Sequence, residues 1–321
     1  MLHYIRKRLL TVIPVFFGIT LCVFLFLHLG PGTIADLMGD GSSFNDTDRA
    51  ALEAQLGLDQ PFLVRYGHWL GDLLQGDLGS SYQTGRPVAE TIGQRVIPSL
   101  ILTGTGVVLA VALAIPLGVA AAWKPGSFWD KLASGCAMVS FGVPGFLLSL
   151  MAVYVFSITL GWLPSARMYT TGSTGTLPDL LRHLILPAAV ICVSNMGELV
   201  KQTRSACLET LGEDYIRTAW AKGLRGRVVM VRHMFRGSLI PIVTTVLSHI
   251  PHIIGGSVVV ERVFGWPGMG SLMFSAINNR DFTIVMGVTV VIALTVLCTN
   301  LLLDLVYGLV DPRVRYGRCG G

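Results

Sequence analysis

LILTGTGVVLAVALAIPLGVAAA, Leu100–Ala122, runs for 23 residues without a charged side chain. As a helix at 1.5 Å per residue it would be about 35 Å long, enough to cross a hydrocarbon core of about 30 Å with every backbone group bonded inside the segment. Five further stretches have the same character: Leu9 to Leu29, Leu132 to Leu160, a shorter Leu184 to Val200, Leu239 to Val260 and Phe282 to Leu303. The composition agrees. Of 321 residues 52% are hydrophobic and 13% charged, at a mean hydropathy of +0.64, against about 25% charged in soluble domains. The reading is an all-α membrane protein with six transmembrane helices, in which the first helix is retained because no small-residue cleavage site follows it.

Charge sets the expected orientation. With the N-terminus inside, 16 of the 24 Lys and Arg fall on the inner side, eight of them between Lys201 and Gly237. The outer side carries twelve acids, nine of them between Asp36 and Glu90. This asymmetry follows the positive-inside rule and places both termini in the cytoplasm. The net charge of +5 is then a record of orientation, and no nucleic-acid partner is expected. The expected organisation is an N-terminal helix with a long extracytoplasmic segment over 1–98, a domain of five helices over 99–310 containing the basic loop 201–237, and a cytoplasmic tail over 311–321.

Several chemistries are missing. The chain has no phosphate loop, H-E-x-x-H helix, G-x-S-x-G elbow or G-x-G-x-x-G fingerprint, so it is not expected to be an enzyme or to bind a nucleotide itself. Six cysteines without paired spacing suggest neither disulfides nor zinc. Ionisable residues inside the spans are few: Glu198 and Asp304, read as lying near the membrane surface, and His249 and His252 in the fifth helix. The two histidines, three residues apart, share a helix face and could offer imidazoles to a cation. No carboxylate or cysteine accompanies them, so lining a wet pathway or bonding a neighbouring helix is the simpler reading, and no metal site is assigned.

The basic loop holds DYIRTAWAKGL, Asp214 to Leu224, in which Ile216, Ala219, Trp220 and Gly223 recur at helical spacing opposite Arg217 and Ala221. Gly223 suits the left-handed residue that ends a helix. A helix this short cannot span, and it is expected to lie across the cytoplasmic surface. The other distinctive stretch is GGSVVVERVFGWPGMG, Gly255–Gly270, whose Trp, Pro and glycines suit a tight turn at the outer interface.

DYIRTAWAKGL with RHMFRGSLIPIVT, Arg232 to Thr244, closely resembles the cytoplasmic loop of ABC importer permeases of the dipeptide, oligopeptide and nickel subfamily. The usual form there is near DYxRTARAKGL followed by RHxLRNALxPxxT. The resemblance runs nearly end to end, through LGLDQPFLVRYGHWL (Leu56 to Leu70), GDLGSSYQTGRPVAETI (Gly76 to Ile92), GWLP (Gly161 to Pro164), HLILP (His183 to Pro187), NNRDF (Asn278 to Phe282) and DPRVRYG (Asp311 to Gly317).

It implies a type I ABC importer permease fold in the bacterial inner membrane. The implied partners are a second homologous permease subunit, two ATP-binding subunits that use ATP and Mg, an extracytoplasmic substrate-binding protein and membrane lipid, with no cofactor on this chain. The loop would be a coupling helix seated in a groove of the ATPase. Carried over by position, Asp214, Tyr215, Arg217, Thr218, Ala219, Ala221, Lys222 and Gly223 would make that contact. Trp220 stands where Arg is usual, so packing there should differ. In the family the outer turn dips toward the translocation path, which makes Glu261, Phe264, Trp266 and Pro267 gate candidates beside His249 and His252. The expected cargo is a dipeptide or oligopeptide. Nickel, a metallophore or glutathione is the alternative, and a secondary transporter or channel would require buried coupling charges or inverted repeats that are not seen.

Overall fold

A computed structural model describes residues 2–29, 60–172 and 175–310. Leu56 to Asp59 of the outer motif, most of the acidic segment and the tail motif DPRVRYG lie outside the described residues. The chain divides into two compact units, Val96–Ser271 with the chain from Cys298, and Leu2–Arg95 with Leu272–Leu297.

Among the described residues the elements are helical, in the order α1 (Leu2–Leu29), α2 (Phe62–Leu74), α3 (Val88–Trp123), α4 (Phe128–Gly142), α5 (Gly145–Ala152, continued by a π-helical turn Val153–Thr159), α6 (Leu177–Leu211), α7 (Asp214–Ala221), α8 (Gly226–Val228, continued by π-helix Val229–Phe235), α9 (Leu239–Ser248), α10 (Ile250–Gly255), α11 (Val258–Val263), α12 (Met269–Asn278) and α13 (Phe282–Val310). Five stretches are long and apolar enough to cross a membrane: Leu10–Leu27, Val88–Trp123, Leu177–Leu211, Leu239–Val263 and Phe282–Asp304.

The sixth expected span, Leu132 to Leu160, is broken: α4 and the α5 segment meet at 102°. The residue before a proline is pushed out of the helical region, and Val143, before Pro144, is extended at φ −108°, ψ 117°. Packing shows that the broken pair still crosses once. A Cβ on Gly106 would lie 2.5 Å from Ile191 Cγ2, and one on Gly118 would lie 2.7 Å from Thr203 Cβ. Both steps are twelve residues in the same sense, so α3 and α6 run parallel. The α4–α5 pair supplies the return crossing that two parallel neighbours need, a sixth span among the described residues.

Glycines and small residues let backbones approach closely, the chief means of helix association where apolar burial gives no drive. Gly197 of α6 faces Ser140 and Ala137 of α4, and Ser140 donates to Ser194 O at 2.7 Å. Farther along the same antiparallel pair, Arg204 Nε donates to Asp130 Oδ1 at 2.6 Å.

Helix lengths depart from the expectation for one reason: hydropathy marks where membrane begins, not where a helix does. α3 starts twelve residues before Leu100, and α6 runs 35 residues where Leu184 to Val200 was expected. Glu198 therefore stands well inside α6, about 20 Å from its C-terminal end at 1.5 Å per residue. The fifth span is three segments, not one helix. Pro251 interrupts the ladder after His249, and Gly256 takes φ 74°.

In the other unit, Tyr66 of α2 meets the Thr20 hydroxyl of α1 at 2.9 Å, and Phe24 packs on Phe62, Tyr66 and Trp69. Asp281 of the NNRDF motif is buried and accepts from the hydroxyls of Ser81 and Thr283. Burial, more than the nearby charges, raises the Tyr82 phenol above its ordinary range.

Candidate functional site

Two surfaces of the Val96–Ser271 unit carry the residues that the sequence singled out, and they lie at opposite ends of α3.

At the C-terminal end of α3 sits α7. Ile216 and Ala219 are buried against Trp123, Leu211, Leu224 and Val229, which fixes the helix on the rest of the chain by its apolar stripe. Gly223 has φ 71° and stops it, as expected. Asp214, Tyr215, Arg217, Thr218, Ala221, Lys222 and Gly223 are exposed. Ala219 is not part of that exposed set: it is 4% accessible and acts as a packing residue beneath it. Arg217 and Asp214 form an ion pair at 3.4 Å with side chains 77% and 94% accessible, so it adds little stability and leaves both charges for a partner.

Tyr215 stands over Gly237, where a Cβ would collide with its hydroxyl. Partial burial, and secondarily the Glu213 carboxylate, hold its phenol above the usual range, so it is neutral at physiological pH. Beneath it Ser238 Oγ donates to Ala206 O and meets Thr210 Oγ1 at 2.9 Å, tying the end of α6 to the start of α9. Trp220, at the position where the resemblance has Arg, stacks on Trp123 with centroids 5.9 Å apart and planes at 27°. Gly226 closes under the pair, where a Cβ would stand 3.2 Å from Trp123 and 3.4 Å from Trp220.

At the other end the chain from α11 to α12 folds over the start of α3. Glu261 is fully buried; its carboxylate accepts from Ser99 Oγ at 2.7 Å and from Ser271 N at 2.8 Å. Ser99 Oγ in turn accepts from Met269 N at 2.7 Å. Gly256 and Gly268 leave the room this carboxylate fills, since a Cβ on either would run into it, and a Cβ on Gly270 would strike the Val258 backbone beside it. Trp266 Nε1 donates to Pro98 O at 2.8 Å, a carbonyl of the first turns of α3. Phe264 is enclosed too, and its carbonyl accepts from Arg167 N at 2.7 Å. Of the four gate candidates on this turn, Glu261, Phe264 and Trp266 are thus buried within the chain, and Pro267 is half-buried.

His249 and His252 flank the break between α9 and α10, their rings 6.3 Å apart. His249 is buried, and its Nε2 has no hydrogen-bond partner among the described residues. His252 is exposed. Among the described residues no group of three His, Cys, Asp or Glu could hold a metal.

Sequence reading did not find Pro98, Ser99 or Trp123. A serine in an apolar run and a tryptophan at a helix end carry no local signal. Only the clustered glycines 256, 268 and 270 marked that something large would fill the space they leave.

Comparisons with known proteins give the family. Residues 114–316 match the family described as binding-protein-dependent transport system inner membrane component. Relatives include a provisionally named peptide permease protein of Brucella suis, 39% identical over 98% of this chain and 99% of its own. The oligopeptide transport system permease protein AppB of Bacillus subtilis is 38% identical over 98% and 100%. The glutathione transport system permease protein GsiC of Salmonella typhimurium is 37% identical over 98% and 100%. This chain belongs to the family of binding-protein-dependent transport system inner membrane components, the membrane-spanning permeases of ABC importers.

Proposed function

We propose that this chain is one half of the translocation pore of an ATP-driven importer of dipeptides or oligopeptides in the bacterial inner membrane. It pairs with a second homologous permease. Two ATPase subunits hydrolyse ATP with Mg, and an extracytoplasmic binding protein delivers the peptide. The observation that carries this reading is α7: a helix pinned by Ile216 and Ala219 and stopped at Gly223, with Asp214, Arg217 and Lys222 left exposed beside a run of basic residues. The names of full-length relatives point to peptide cargo.

Both termini lie in the cytoplasm in this reading, which the excess of Lys and Arg on that side supports. Closure of the ATPases moves α7, and the pore opens outward to a loaded binding protein. Hydrolysis resets it. ATP shifts the equilibrium because it binds the closed ATPase pair more tightly than the open one. The residues around Pro267, with His249 and His252, border the path that the peptide takes.

Glutathione is the second reading, favoured by the GsiC relative. Uptake of labelled dipeptide, labelled glutathione and labelled nickel, in cells with and without this chain, tests all three cargoes. Loss of dipeptide uptake is the expected result. Loss of glutathione uptake alone moves the cargo to that tripeptide, and loss of nickel uptake alone overturns the peptide reading.

A further inference from the structure

α3 connects the two surfaces directly. Its last residue, Trp123, is stacked on Trp220 of α7. About a third of the way along it, Ser99 and the Pro98 carbonyl hold Glu261 and Trp266 at the turn between α11 and α12. Ser99 and Trp123 are 24 residues apart in one uninterrupted helix, a rise of about 36 Å, close to the thickness of a hydrocarbon core. Gly106 and Gly118 seat this length of helix on α6 at two points. These close seats stiffen the length between them against bending. Both limits of that length are held by contacts, a stacked aromatic pair at Trp123 and a doubly engaged serine with a buried carboxylate at Ser99.

We propose that α3 is the rod that carries displacement of α7 across the membrane to the Trp-Pro-Gly turn, with Trp123 and Ser99 as its positioning residues. This rests on the reading of the chain as an importer permease. A stack 5.9 Å between centroids transmits a push and a tilt from α7 into α3, because a close-packed contact is not compliant. At the far end Ser99 moves with the helix, and through Glu261 and the Met269 amide it takes both arms of the turn with it. Trp220 then has a defined purpose: it rebuilds, as an aromatic contact to α3, a position at which the resembling permeases use an arginine.

The test uses the complete importer in proteoliposomes, measuring peptide transported per ATP hydrolysed. Trp123→Ala and Ser99→Ala are each expected to lower that ratio about tenfold, within the usual range of coupling between sites, with hydrolysis and co-purified ATPase near wild type. Trp123→Phe, which keeps a stacked ring, restores it. The double variant is expected to be no worse than the poorer single one, since both cut the same connection. If Ser99→Ala fails to assemble, Glu261→Gln takes its place. An unchanged ratio in either single variant, or multiplied losses in the double one, overturns the rod. A wild-type complex that hydrolyses ATP but moves no peptide contradicts the importer reading instead, so the two failures are distinguishable.

Discussion

Ser99 and Glu261 lie 162 residues apart and are joined by a hydrogen bond of 2.7 Å. The carboxyl group, fully enclosed, accepts from the Ser99 hydroxyl on one oxygen and from the Ser271 N–H on the other, which offsets the cost of burying it. Removing the acceptor leaves Ser99 and the Ser271 amide facing nothing. Glu261→Ala is expected to destabilise the solubilised protein by about 3 kcal/mol, because two buried donors lose their acceptor. Thermal unfolding in detergent checks this; an unshifted midpoint would show that the carboxylate is not the pin of this turn.

The parallel seat of α3 on α6 makes a second prediction. Gly106→Ala and Gly118→Ala each place a methyl within 2.7 Å of a neighbouring side chain, whereas Gly135 has nothing within 4 Å. The first two should cost about 1–3 kcal/mol through overpacking. Gly135→Ala should be neutral or slightly stabilising, since alanine is the better helix former. Equal effects in the three variants, measured by the same melting experiment, would contradict the packing described for α3 and α6.

The stop at Gly223 gives a third. At φ 71° a β-branched side chain is disfavoured by about 1–2 kcal/mol, while asparagine visits this region more readily. Gly223→Val should reduce peptide uptake several-fold with normal membrane insertion, and Gly223→Asn should retain most of it. Full activity in the valine variant would mean that the end of α7 is not functionally fixed.

A fourth concerns the histidines. His249 and His252 replaced together by alanine should leave peptide uptake largely intact, because no third ligand group among the described residues accompanies them to bind cargo tightly. Uptake assays with labelled peptide and labelled nickel decide the matter. Selective loss of nickel transport would make the pair a cargo site.

Much of the fold was legible because the bilayer demands long apolar runs, and these are local. The breaks were harder to read. Pro144 and Pro251 were visible in the sequence, yet whether a proline bends a span, as at Val143, or is absorbed, as Pro116 is within α3, depends on the neighbouring helices. The exposed face of α7 was readable from periodicity, which also placed Ile216 and Ala219 inward. Trp220 was read as part of the buried stripe but is 47% accessible, because its ring turns sideways onto Trp123. The gate candidates were found by resemblance. Their enclosure was not, since Ser99 and Pro98 reach them only through the tertiary fold.

In the proposed importer the exposed face of α7 receives the work of the ATPases. Charge reversal at Arg217→Glu with Lys222→Glu alters two exposed side chains and no packed one. Peptide uptake and ATP hydrolysis recorded together for the complete importer, wild type against this double variant, are the measurement to make. A chain that inserts normally and hydrolysis that no longer drives uptake are expected; wild-type uptake by the double variant would overturn the coupling role of α7.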